Sequence, residues 1–231
     1  CYNFQSCDAQ VIAGLTHFVS KKAFNIDGLG GRIIEEFYQK NLIQQPADFF
    51  RLESKSKNKL NLIEFLGKGW GEKSLQNLFH SIEKAKLINL DRFLFSLGIR
   101  HIGENASQIL AGYFGSWDDF YNAIKAGIAK NDGQFLFEIE GIGQLMVTSL
   151  IGFFSDFKER EKLEDLLNYV KIENFIKLSK VETAITDKKL VLTGTFNAFS
   201  RAELKSICER AGAKVLTCLL YTSDAADDVV G

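Results

Sequence analysis

Glycine-rich bends occur four times in this 231-residue chain, and each opens a segment whose apolar residues repeat at helical spacing. They read Ile26-Asp27-Gly28-Leu29-Gly30, Gly69-Trp70-Gly71, Gly98-Ile99-Arg100-His101-Ile102-Gly103 and Ile139-Glu140-Gly141-Ile142-Gly143. Their last glycines are 32 to 41 residues apart. A glycine bend feeding a helix N-terminus presents unpaired backbone N–H groups and the positive end of the helix dipole, the chemistry that holds a phosphate. One such bend carries little information. Four in series suggest a module that grips a polymer of phosphates. The candidate main-chain contacts are Gly28, Gly30, Gly69, Gly71, Gly103, Gly141 and Gly143, where missing side chains permit tight turns and close approach of phosphate oxygens. Arg32, Lys68, Lys73 and Arg100 are the candidate ionic contacts. The alternative is that the glycines only let helices turn and pack. That alternative weighs most at the fourth bend, where Glu138 and Glu140 oppose phosphate binding.

No constellation of side chains suggests catalysis. His17, His80 and His101 have no partner spacing that points to a metal, and the expected place of His101 is a packed or surface position. Trp70 is expected to pack rather than to touch a ligand. Cys208 falls in an amphipathic helical pattern and reads as a buried apolar residue. Nothing in the four cysteines suggests a secreted disulfide framework, so a reducing cytoplasm is expected.

The elements that must position the bends are helices. Hydrophobic residues make up 46% of the chain and proline occurs once, a composition that argues against disorder. Phenylalanine, at 20 residues, is expected to supply much of the packing between helices. No apolar run approaches the ~20 residues of a membrane helix. Net charge is −1, but Ser54–His101 carries nine Lys/Arg against four Asp/Glu, and Ile102–Glu140 two against six. Such zoning is compatible with one surface that faces nucleic acid, and equally with an unevenly charged solvated surface.

Along the chain, a helix is expected from Val11, with Ile12, Leu15 and Val19 on one side. A second carries Ile33, Ile34, Phe37 and Tyr38, and Pro46 is placed to begin a short third. Further helices follow the second, third and fourth bends. Gly115 stops one of them, and Ser116 caps the next. The character changes near Lys180. Lys189–Phe196 reads as a buried strand, Ser200 and Glu203 as a capping box, and Ala213–Leu216 as a second strand, the start of an α/β unit.

These segments resemble a known family. Cys1-x5-Cys7-Asp8-Ala9-Gln10 is similar to the second half of the four-cysteine zinc module of bacterial NAD-dependent DNA ligases. His17–Gly30, Gly69–Ser74 and Leu97–Glu104 resemble that family's helix-hairpin-helix domain. Leu192–Phe196 and Arg210–Val215 resemble the opening of its BRCT domain. The similarity runs in the family's order from residue 1 to about residue 216.

The resemblance implies a mainly α fold, a helix-hairpin-helix array followed by a truncated α/β BRCT-like domain. Residues 1–10 would be a zinc-module remnant, 11–170 the DNA-binding domain, 171–187 a linker and 188–217 the truncated domain. Residues 218–231 resemble a translated sequencing adapter and are expected to be non-native. The implied function is the DNA clamp of an enzyme that joins 3′-hydroxyl and 5′-phosphate ends at nicks in replication and repair. Adenylate would come from NAD, with magnesium, through a lysine outside these residues. No catalytic residue is assigned here, and this portion alone should be inactive. Cys1 and Cys7 would be inherited zinc ligands of a halved site, and two ligands alone should hold zinc poorly. The implied partner is duplex or nicked DNA, met by a monomer in the bacterial cytoplasm and away from membranes. The competing readings are a non-enzymatic helix-hairpin-helix scaffold of a repair or junction-processing complex, and a helical-repeat module that binds no DNA.

Overall fold

The computed structural model describes residues 7–55, 70–130, 133–175, 185, 188–193, 204, 207–208 and 213–216. Cys1, Lys68, Gly69, the Ser200–Glu203 capping pair, Gly194–Phe196 and residues 217–231 lie outside them. The chain divides into two compact units, 1–176 and 177–231.

The first unit is helical. In order it contains α1 (Asp8–Val19), α2 (Gly31–Gln39), α3 (Ala47–Lys55), α4 (Glu72–Ala85), β1 (Leu87–Asn89), α5 (Leu90–Ser96), α6 (Glu104–Phe114) and α7 (Trp117–Ala129). A 3-10 turn (Gln134–Glu138), α8 (Gln144–Ser155), α9 (Phe157–Leu167) and β2 (Lys171–Glu173) follow. Local chemistry sets several of these ends. α2 stops at Asn41, whose φ of 57° is left-handed, with Leu42 N–H bonded to Phe37 O and Asn41 N–H to Tyr38 O. That pattern satisfies two otherwise orphaned carbonyls. Pro46 precedes α3, and the buried Asp48 carboxylate reaches back to accept from the Gln44 and Gln45 amides at 3.0 and 3.1 Å. Gly115 ends α6 with φ 73°, and Ser116 Oγ caps α7 by accepting from Asp119 N–H at 3.1 Å.

Aromatic rings run through the core as expected from the phenylalanine content. Phe18 stacks on Phe24 (4.2 Å) and on Phe49 (5.8 Å), and Phe24 meets Phe93 edge-on (6.3 Å). Phe93 meets Trp117 (5.1 Å), and Phe154 meets Phe120 (5.6 Å) and Trp117 (6.4 Å). One apolar core therefore joins α1, the first bend and α3 to α5, α7 and α8. Rings of this size dominate packing energetics and fix the bends relative to one another.

Polar contacts clamp distant parts of the same unit. Arg51 on α3 donates through Nε to Tyr169 OH (2.9 Å) and pairs with Asp165 on α9, and Gln45 Nε2 donates to Asp165 Oδ2 (2.6 Å). Those bonds to Tyr169 and Asp165 push the Arg51 pKa up, against the opposing effect of burial. Tyr38 OH donates to Asp8 Oδ1 at 2.8 Å, and this bond raises the Tyr38 pKa.

Three details differ from the sequence expectations. α1 begins at Asp8 rather than Val11, because a carboxylate in the first turn favours an earlier start. β1 falls where the helical spacing after the second bend gives no strand signal. Residues 171–173, read as the start of a linker, form β2, paired in parallel with β1 in the register Leu87↔Lys171, Ile88↔Ile172 and Asn89↔Glu173. Strands of three residues are too short to show alternation.

In the second unit, β3 (Lys189–Val191) pairs in parallel with β4 (Lys214–Leu216). Residues 204, 207 and 208, between them in sequence, are helical, and Cys208 is half-buried. Parallel neighbours need a crossover, so this order is of β-α-β kind.

Candidate nucleic-acid interface

Three of the bends share one build. In Ile26-Asp27-Gly28-Leu29-Gly30, Ile99-Arg100-His101-Ile102-Gly103 and Ile139-Glu140-Gly141-Ile142-Gly143, the first and fourth residues are buried and the second is exposed. The third residue has left-handed backbone in each, with φ of 87°, 65° and 89°. In the latter two bends the fourth residue's N–H closes on the carbonyl of the first at 3.0 Å. A positive φ at the third position is the mark of a turn that favours glycine there. The buried pair pins the turn to the core and turns its outer edge to solvent.

The last glycine of each bend is the residue preceding a helix: Gly30 before α2, Gly71 before α4, Gly103 before α6 and Gly143 before α8. All four are exposed, and none of these helices is capped by a side chain. A Cβ built on Gly28, Gly30, Gly71, Gly103 or Gly143 would meet nothing within 4 Å. By contrast, α7 and α9 are capped by Ser116 and Asp156. α1 and α5 also lack a side-chain cap, behind Cys7 and Asn89, so bare ends are not confined to the bends. What sets the four apart is an open glycine beside the first amides of a helix; in α2 and α8 the third of these, Ile33 and Met146 N–H, bonds back to Gly30 O and Gly143 O at 2.9 and 3.0 Å.

Gly141 is the exception in its surroundings. A Cβ there would lie 2.9 Å from Ile109 Cδ1, on top of φ 89°. Gly141→Ala should therefore lower stability by about 2 kcal/mol, from left-handed strain and crowding together. A denaturant midpoint equal to that of the parent chain would contradict this.

Arg32 and Lys73 lie in the first turns of α2 and α4, and Arg100 at the tip of the third bend; all three are exposed. Glu72 and Glu104 stand in the first turns of α4 and α6, and Glu104 pairs with Lys22. Glu140 is exposed on the fourth bend. Among the described residues, the third bend thus carries a cation with no ion-pair partner and an acid already matched by lysine, whereas the acid of the fourth has no such match.

Several positioning residues were not legible in sequence. His17 Nε2 donates to Phe95 O at 2.7 Å and its ring meets Phe95 at 4.6 Å, bracing the third bend from α1. Asp27 N–H donates to Ser81 Oγ at 2.8 Å, tying the first bend to α4. Arg92 donates to Lys21 O at 2.9 Å. Each spans more than 50 residues, and no local pattern announces it. Trp70 packs on Phe37 at 5.5 Å, as expected.

Cys7 is a half-buried free thiol just before α1. Among the described residues no three His, Cys, Asp or Glu side chains gather to hold a metal. Cys1, the other cysteine expected in a zinc half-site, lies outside the described residues. No helix among the described residues is long and apolar enough to cross a membrane.

Residues 92–163, which contain the third and fourth bends, match the helix-hairpin-helix motif family. The chain is 38% identical over 227 residues to a protein named DNA ligase from Rickettsia bellii (strain OSU 85-389), covering 97% of this chain and 32% of that protein. It is 38% identical over 234 residues to one from Rickettsia africae (strain ESF-5), covering 100% and 34%. It is 39% identical over 227 residues to one from Rickettsia rickettsii (strain Sheila Smith), covering 97% and 32%. The chain spans about a third of the length of these relatives. It is a mainly helical chain with a helix-hairpin-helix motif, similar over nearly all its length to one stretch of proteins named DNA ligase.

Proposed function

We propose that these residues are the duplex-gripping portion of an NAD-dependent DNA ligase that seals nicks. The observation that carries the reading is the set of bends whose terminal glycines are open to solvent and lead into helices without side-chain caps. First-turn amides at each would hold phosphate oxygens, and Arg32, Lys73 and Arg100, with Lys68, would add charge. Phosphate contacts position a protein without reading bases, which suits an enzyme that must act at nicks anywhere. Residues 188–217 would begin a BRCT-like unit, a reading supported by the parallel β3–β4 pair. NAD supplies the adenylate when bound, and its site, like that of magnesium, would lie outside these residues. No step is assigned to zinc.

The test is fluorescence anisotropy of a labelled nicked duplex titrated with the 231-residue chain. Three unrelated sequences should bind with affinities within about two-fold of one another, because backbone contacts carry no base information. A strong preference for one sequence, or no binding at all, would sink the proposal. A Lys-x-Asp-Gly adenylation motif encoded upstream of Cys1 would support the ligase reading, and its absence a non-enzymatic scaffold.

A further inference from the structure

Resting on that reading, we infer that His101 is itself a DNA contact, a hydrogen-bond donor to a phosphodiester oxygen beside the one held by Arg100. The third position of this turn is glycine in the first and fourth bends and histidine here, at φ 65°. L side chains disfavour that backbone conformation, so a histidine in it is held by its surroundings. The surroundings are present: buried Ile99 and Ile102 flank it, Ile102 N–H closes on Ile99 O at 3.0 Å, and His17 braces the turn through Phe95.

His101 is exposed, and among the described residues no hydrogen bond, ion pair or ring contact engages it. Among the described residues the ring thus has no polar or aromatic partner to offset the strain of its left-handed backbone. A Cβ at the equivalent Gly28 would also meet open space, whereas at Gly141 it would strike Ile109. The fold therefore leaves room for a side chain at this position in two bends, at the cost of the same left-handed strain, and carries one in the bend with an exposed arginine and a lysine-matched acid. A neutral imidazole retains one N–H donor, and a phosphodiester oxygen is the acceptor that the neighbouring amides and Arg100 already select.

The test compares the parent chain with His101→Gly and His101→Asn in duplex binding and thermal unfolding. Glycine relieves the left-handed strain, so His101→Gly should melt at the same or a higher temperature while binding nicked duplex about five-fold more weakly. Asparagine tolerates left-handed backbone and keeps a donor, so it should bind within about two-fold of the parent. Unchanged affinity in His101→Gly, beside a parent that binds, overturns this inference alone. Lost binding accompanied by a lower melting temperature also overturns it, in favour of a structural role. A parent chain that binds no duplex overturns the proposed function with it.

Discussion

Aspartate at Gly30, Gly71 and Gly103 together should abolish duplex binding while making the protein slightly more stable. These glycines have extended backbone, with φ/ψ of −76°/161°, −130°/168° and −90°/−174°, the conformation of a residue that caps a helix. A side chain at each meets open space. Aspartate there accepts from the first-turn amides and adds a negative charge at the positive end of the dipole, worth about 0.5 kcal/mol per helix. The same carboxylate occupies the donors that a phosphate would use and repels it. If each bend loses about ten-fold in affinity, three should lose about a thousand-fold. Because the expected changes in binding and in stability have opposite signs, loss of binding here could not be put down to unfolding. Retained binding with the expected rise in melting temperature would show that the bare helix ends have no part in holding DNA. It would favour the reading of glycines that only let helices turn.

Salt should weaken binding steeply. Arg32, Lys68, Lys73 and Arg100 are the four cations assigned to phosphates, and the first, third and fourth are exposed at the bends. Each neutralised phosphate contributes about −0.9 to the slope of log affinity against log salt, so the slope should be about −3.6. Between 50 and 200 mM salt that is about a hundred-fold loss. Neutralising Arg32 and Lys73 to glutamine should shift the slope by about two, toward zero. The overall charge of −1 gives no general attraction for polyanions, so a steep slope would have to come from local placement. A slope near zero would show that these four cations do not meet phosphates, and no measurable binding at any salt would favour the helical-repeat module.

Features of the candidate site that depend on neighbours in sequence were readable directly. Ile-x-Gly-Ile/Leu-Gly contains its own instructions: apolar residues to bury, a glycine for positive φ and a glycine before the helix. Ser116 and Gly115 likewise act within a few residues, and their roles follow from their types. The third bend departs from the pattern at a single residue. The sequence shows a histidine there but not that its backbone is left-handed, since that follows from how Ile99 and Ile102 are seated in the core.

Sequence alone determined that the chain is helical, where the bends fall, and which glycines and cations stand at them, because turns and helix ends are decided by residues within about one helical turn. Tertiary structure alone decided that the last glycine of each bend faces solvent, that Lys22 matches Glu104 while Glu140 has no ion-pair partner among the described residues, and that β2 returns to β1. The Arg51–Asp165–Tyr169 clamp belongs with these, its partners lying 114 to 118 residues away. Such pairings form only when a packed core brings distant segments together, and no rule acting along the chain specifies them.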